Sequence, residues 1–92
     1  MGPEIFTLDA KCNAGTDKEE TILYSRFVGS KYEACKFLAD FVMQEMGDGD
    51  SENGGKGSLK NCYGDIFNAL MAHGNYQYAD CVFTIARMWH GL

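Results

Sequence analysis

Residues 30–47 read S-K-Y-E-A-C-K-F-L-A-D-F-V-M-Q-E-M-G. Two signals in this stretch specify a helix. Ser30 and Glu33 form a capping box: the hydroxyl accepts from the third helical N–H, and the carboxylate reaches back to the cap. Behind them Ala34, Cys35, Phe37, Leu38, Phe41, Val42 and Met46 recur at helical spacing as one wide apolar stripe. Gly47 fits the position just past a helix end, where positive φ is common. Met43 falls off the stripe beside Gln44, which makes it a candidate contact residue. Lys36 and Asp40 fall on the exposed side.

On the N-terminal side, Phe6, Leu8, Ala10 and Cys12 alternate with Thr7, Asp9 and Lys11. That period of two is the mark of a half-buried strand. Residues 13–20 are polar, contain Gly15 and read as a hairpin loop. Residues 21–28 are rich in β-formers, but their alternation is less clean and the buried face is not evident. On the C-terminal side, residues 47–57 (G-D-G-D-S-E-N-G-G-K-G) have the composition of a flexible acidic loop. Ser58 can cap a second helix. Its stripe is Leu59, Cys62, Tyr63, Ile66, Phe67, Leu70 and Met71, and Gly74 can end it. Residues 75–78 read as a turn into a last strand, 79–89. In that strand Cys81, Phe83, Ile85 and Trp89 share one face, and Val82, Thr84, Ala86 and Met88 share the other.

The expected architecture is a single α+β domain over residues 1–92, with order β-β-α-α-β. Two helices cannot cover both faces of a sheet, so both are expected on one face of three antiparallel strands. The outward stripe of the last strand is then unusually apolar for a face in water, the kind of patch that marks a partner site.

The 92-residue chain carries a net charge of −5. Free nucleic acid is therefore not an expected ligand, because phosphate affinity rests on clustered Lys and Arg. A basic partner, including a protein that itself holds nucleic acid, suits an acidic surface. No run of about 18 apolar residues is present, so no membrane helix is expected. The N-terminus lacks the basic and apolar segments of a signal peptide. A cytoplasmic location and reduced core thiols follow as expectations for Cys12, Cys35, Cys62 and Cys81. A bridge between Cys12 and Cys81 is nonetheless geometrically conceivable, because both fall in strands.

Candidate chemistry is sparse. Asp48, Asp50 and Glu52 suggest calcium, but an EF-hand loop needs Gly at its sixth position and a carboxylate at its twelfth. Counted from Asp48 those places hold Asn53 and Leu59; counted from Asp50 they hold Gly55 and Asn61. The glycines before the second helix lack the Walker pattern. Cys35 and Cys62 lie on apolar stripes, where a thiolate is disfavoured. His73 suits the end of its helix, and His90 lies near the chain's end. Neither a catalytic pair, a metal site nor a cofactor is expected, and the balance favours a binding protein over an enzyme. The candidate contact residues are Asp48, Asp50 and Glu52 of the loop, Lys36, Asp40 and Met43 of the first helix, and Val82, Thr84 and Met88 of the last strand.

In size, acidity, order of elements and lack of catalytic motifs, the chain resembles the small phage-encoded anti-CRISPR proteins, above all the inhibitors of type I effectors. That resemblance implies a non-enzymatic inhibitor in the bacterial cytoplasm. It would bind an RNA-guided CRISPR effector complex and block target DNA. It matches no specific residues, so no functional position is carried over. A homodimeric accessory protein of a phage or mobile element, its outward stripe buried by two-fold pairing, is the alternative. A small metal- or thiol-dependent enzyme is a third.

Overall fold

A computed structural model describes residues 4–47 and 63–88. The Ser30 cap is where the chain changes from strand to helix. Ser30 keeps an extended backbone, and its Oγ accepts from the Glu33 backbone N–H at 3.1 Å. Its own N–H donates to Glu33 Oε1 at 3.2 Å. Helix α1 (Lys31–Val42) follows, and it continues into a π-helical turn over Met43–Gly47. Gly47 therefore closes that wider turn rather than capping an α-helix. Ahead of α1 lie β1 (Glu4–Cys12) and β2 (Glu20–Gly29). After it come α2 (Tyr63–His73), β3 (Asn75–Tyr78) and β4 (Cys81–Arg87).

Among the described residues the sheet has four antiparallel strands in the order β2-β1-β4-β3. This corrects the expected three strands and the β-β-α-α-β order. Asn75–Tyr78 forms a strand, not a turn. It pairs with β4 through the two-residue connection Ala79-Asp80, where Ala79 takes φ 54°. The last strand is consequently internal, between β1 and β3, and not at an edge. Gly74 ends α2 at φ 81°, with its N–H donating to Leu70 O at 3.0 Å.

The clouded alternation of β2 has a local cause. Ala10 lies opposite Leu23 and Lys11 opposite Thr21, so Ile22 is an extra residue in a β-bulge. Beyond the bulge Leu23, Ser25 and Phe27 share the face of Ala10, Leu8 and Phe6.

Both helices cover this one face. Phe6, Leu8, Ala10, Phe83 and Ile85 from the sheet meet Ala34, Cys35, Leu38, Ala39 and Val42 of α1 and Ile66 and Leu70 of α2. The two alanines let α1 lie close to the sheet, and a fully buried leucine such as Leu38 contributes about 2 kcal/mol by removal from water. Aromatic pairs close the margins: Phe41 on Phe83, Phe27 on Phe37, and Tyr32 on Phe67 across the two helices. Cys12 and Cys81, directly opposite in the β1–β4 register, form a disulfide. This overturns the expectation of reduced thiols for Cys12 and Cys81, and its reason is the pairing of β4 with β1, which sets the two residues opposite each other. Cys35 is free and buried in the core. Among the described residues no helix is long and apolar enough to cross a membrane.

Candidate functional site

Among the described residues no helix covers the second face of the sheet. Strand pleating puts alternate residues of β1, β2 and β4 there, and the register sorts them into rows. One row runs Val28–Ile5, with Met88 beside it through its N–H donated to Ile5 O at 2.8 Å. The next runs Arg26–Thr7–Ala86, then Tyr24–Asp9–Thr84–Asn75, then Thr21–Lys11–Val82–Gln77. Tyr24 is 73% exposed and Val28 61%. Val82, Thr84 and Met88 are half-buried by their neighbours, and Ala86 is exposed. The outward stripe expected from β4 is therefore in place, extended by Tyr24, Val28 and Ile5.

The charged groups on this face are Asp9, Lys11 and the exposed Arg26. Lys11 Nζ lies 3.3 Å from Asp9 Oδ2. A pair this exposed contributes at most about 1 kcal/mol. Asp9 Oδ1 is shielded from solvent and has no hydrogen-bond partner among the described residues. An acceptor left in that state costs stability that a donor from outside the chain can restore, provided the side chain turns outward. Asp9 escaped notice in the sequence because it reads as the polar half of an ordinary alternation.

The remaining candidates do not join this face. Lys36 and Asp40 lie on the exposed side of α1, with the helical layer between them and the open sheet. Asp40 is engaged with Tyr63 of α2. Burial pushes the Tyr63 phenol above its ordinary value of 10, and the charge and hydrogen bond of Asp40 push it further in the same direction. Met43 is half-buried and packs against the core: its backbone is still αR with its N–H on Ala39 O, one turn after the buried Ala39, so it is not the stray surface residue expected. Asp48, Asp50 and Glu52, with Ser58, Leu59, Cys62, Trp89 and His90, lie outside the described residues.

Thiol chemistry finds no support in the core. Burial raises the Cys35 thiol above its ordinary value of 9.0, opposed only in part by the charge of Lys31. Among the described residues no group of three or more His, Cys, Asp or Glu is placed to hold a metal. One concavity does bring polar groups together. It has a volume of about 300 Å³ and lies where β1 begins and β4 ends. Lys31, His73 and Arg87 line it, from three different elements.

No protein-family model, curated protein or solved structure matches the chain.

Proposed function

We propose that this protein is a non-enzymatic, protein-binding inhibitor of the anti-CRISPR kind, which docks through the open face of its sheet on an RNA-guided effector complex and blocks target DNA binding. The observation that carries the docking surface is the face that the described residues leave uncovered: Tyr24, Val28, Ile5, Val82, Thr84 and Ala86 form a largely apolar patch on strands, with the exposed Arg26 among them. Contact residues held on strands are fixed before binding, so little ordering is needed on association. The choice of partner rests on charge and on type. A chain of net charge −5 complements a basic groove built to hold nucleic acid. The small, acidic, motif-free character shared with inhibitors of type I effectors supplies the class. The loop acids Asp48, Asp50 and Glu52 add to that complementarity, and Lys36 and Asp40 form a separate, secondary surface.

A reducing bacterial cytoplasm keeps thiols reduced. This proposal therefore requires a fold that stands on its core with Cys12 and Cys81 as thiols.

The test is direct. A purified type I effector is mixed with the protein, and target DNA binding is followed by mobility shift. Loss of DNA binding, abolished by Thr84→Arg with Ala86→Arg, supports the proposal. Undiminished DNA binding across effector types, with none retained in a pull-down, removes the anti-CRISPR assignment. Light scattering then decides the alternative: a dimer broken by the same two substitutions assigns the face to a second copy of this chain.

A further inference from the structure

The end cavity has a chemistry different from the rest of the surface. Its floor is apolar, made by Phe6 and Ile85. Its rim holds Lys31 from the first turn of α1, His73 from the last turn of α2 and Arg87 from the end of β4. Two of the chain's eight Lys and Arg residues and one of its two His meet here, in a protein of net charge −5, and no Asp or Glu is among the described lining residues.

The backbone contributes at two helix ends. The positive end of the α1 dipole lies at Lys31, offset in part by the capping-box carboxylate of Glu33. The end of α2 opposes it, although two of its last four carbonyls, Leu70 O and His73 O, accept hydrogen bonds. Leu70 O accepts from Gly74 N–H at 3.0 Å, and Gly74 O accepts from Ile85 N–H at 2.8 Å. His73 O accepts from Asn75 Nδ2 at 3.4 Å. Arg87 is also partly oriented. Its Nε lies 3.3 Å from Glu4 Oε1, and its guanidinium carbon lies 6.0 Å from the centre of the Phe6 ring. The ion pair is drawn from Nε, so the opposite edge of the guanidinium fork is not engaged by it.

We infer that this cavity is a binding site for a small phosphate monoester, its phosphate held by Lys31, Arg87 and His73 and its organic part resting on Phe6 and Ile85. An arginine fork beside a lysine ammonium matches phosphate oxygens in number and geometry better than it matches a single carboxylate. The volume lies at the small end of ligand pockets, which suits a phosphate bearing one ring and not a dinucleotide. This inference stands apart from the inhibitor reading, because the cavity lies between the sheet's inner face and the helices and uses none of the residues of the open face.

The test uses the full chain, labelled with nitrogen-15, titrated with phenyl phosphate, inorganic phosphate, benzoate and benzyl alcohol. Phenyl phosphate is expected to shift the amides of Lys31, His73, Gly74 and Arg87 saturably, in the millimolar range or tighter. Inorganic phosphate is expected to do so more weakly. Lys31→Gln and Arg87→Gln are each expected to weaken phenyl phosphate by about tenfold while the spectrum stays folded, since both side chains are at the surface. Tyr24→Ser, on the opposite face, is expected to leave the affinity unchanged. Three results overturn the inference: no saturable shift at these residues, unchanged affinity in the Lys31→Gln, Arg87→Gln double variant, or benzyl alcohol binding as well as phenyl phosphate. Benzoate binding more tightly than phenyl phosphate overturns the assignment to phosphate.

Discussion

The two faces of one sheet are built from adjacent residues of the same strands and live in opposite environments. In β4, Phe83 and Ile85 are closed off by the helices, while Thr84 between them and Ala86 beside them look outward. In β1, Leu8 is fully buried, and its neighbour Asp9 keeps one carboxylate oxygen without a partner among the described residues. Stability is concentrated on the inner face, where each side chain is surrounded by others. The outer face adds little to folding and is free to be selected for what it touches. A domain this small has few residues to spare, so a largely apolar patch on the side that does not fold the protein invites a functional explanation.

The sharpest way to break this contrast is to swap effects across a single strand. Phe83→Ala is expected to cost about 4 kcal/mol, most of the stability of a domain this size, as read by denaturant unfolding. Next in size is the bridge between β1 and β4. Cys12→Ser with Cys81→Ser, or reduction of the parent, is expected to lower stability by about 3 kcal/mol by freeing the unfolded chain. A loss below about 1 kcal/mol there would show that the strand pairing needs no covalent tie.

The helical cover can be loosened without touching the sheet. Tyr63→Phe removes the bond to Asp40 and is expected to cost about 1 kcal/mol at neutral pH. The phenol titrates above its ordinary value of 10 in the folded state, so folding holds its proton more tightly than the unfolded chain does. That stabilisation is whole below pH 10 and is lost as pH rises through the folded value. Melting curves of the parent and of Tyr63→Phe are expected to converge in that alkaline window. The smallest effect on folding belongs to the outer face: Thr84→Arg with Ala86→Arg is expected to change stability by no more than about 0.5 kcal/mol while abolishing partner binding. A large loss of stability from this pair would place Thr84 and Ala86 in the folding face and remove the contrast.

What could be read in the sequence followed the range of the interaction. The Ser30–Glu33 cap and the alternation from Cys81 to Ile85 are local, and both stand in the structure as their spacing implies. β3 was hidden because N-Y-Q-Y is short and half polar, and because Ala79-Asp80 turns the chain without the glycine that usually marks a hairpin. The inner face of β2 was obscured by one extra residue at Ile22. The Cys12–Cys81 bridge spans a separation of 69 residues, and nothing local sets β1 beside β4. The same holds for the end cavity, where Lys31, His73 and Arg87 converge from positions that individually look like ordinary surface charges. The open stripe at Val82, Thr84 and Met88 was legible because one strand carries it. Its extension to Tyr24 and Val28 depends on the strand order.

The disulfide has a further meaning for the chain's connectivity. Cys12 belongs to the segment β1-β2-α1, and Cys81 belongs to α2-β3-β4. A protease cut anywhere between residues 47 and 63 would thus yield two fragments that stay covalently joined, running as one band on a gel without reductant and as two with it. The β1–β4 ladder and the packing of α1 on α2 form the seam between those fragments, and the disulfide is the covalent link across it.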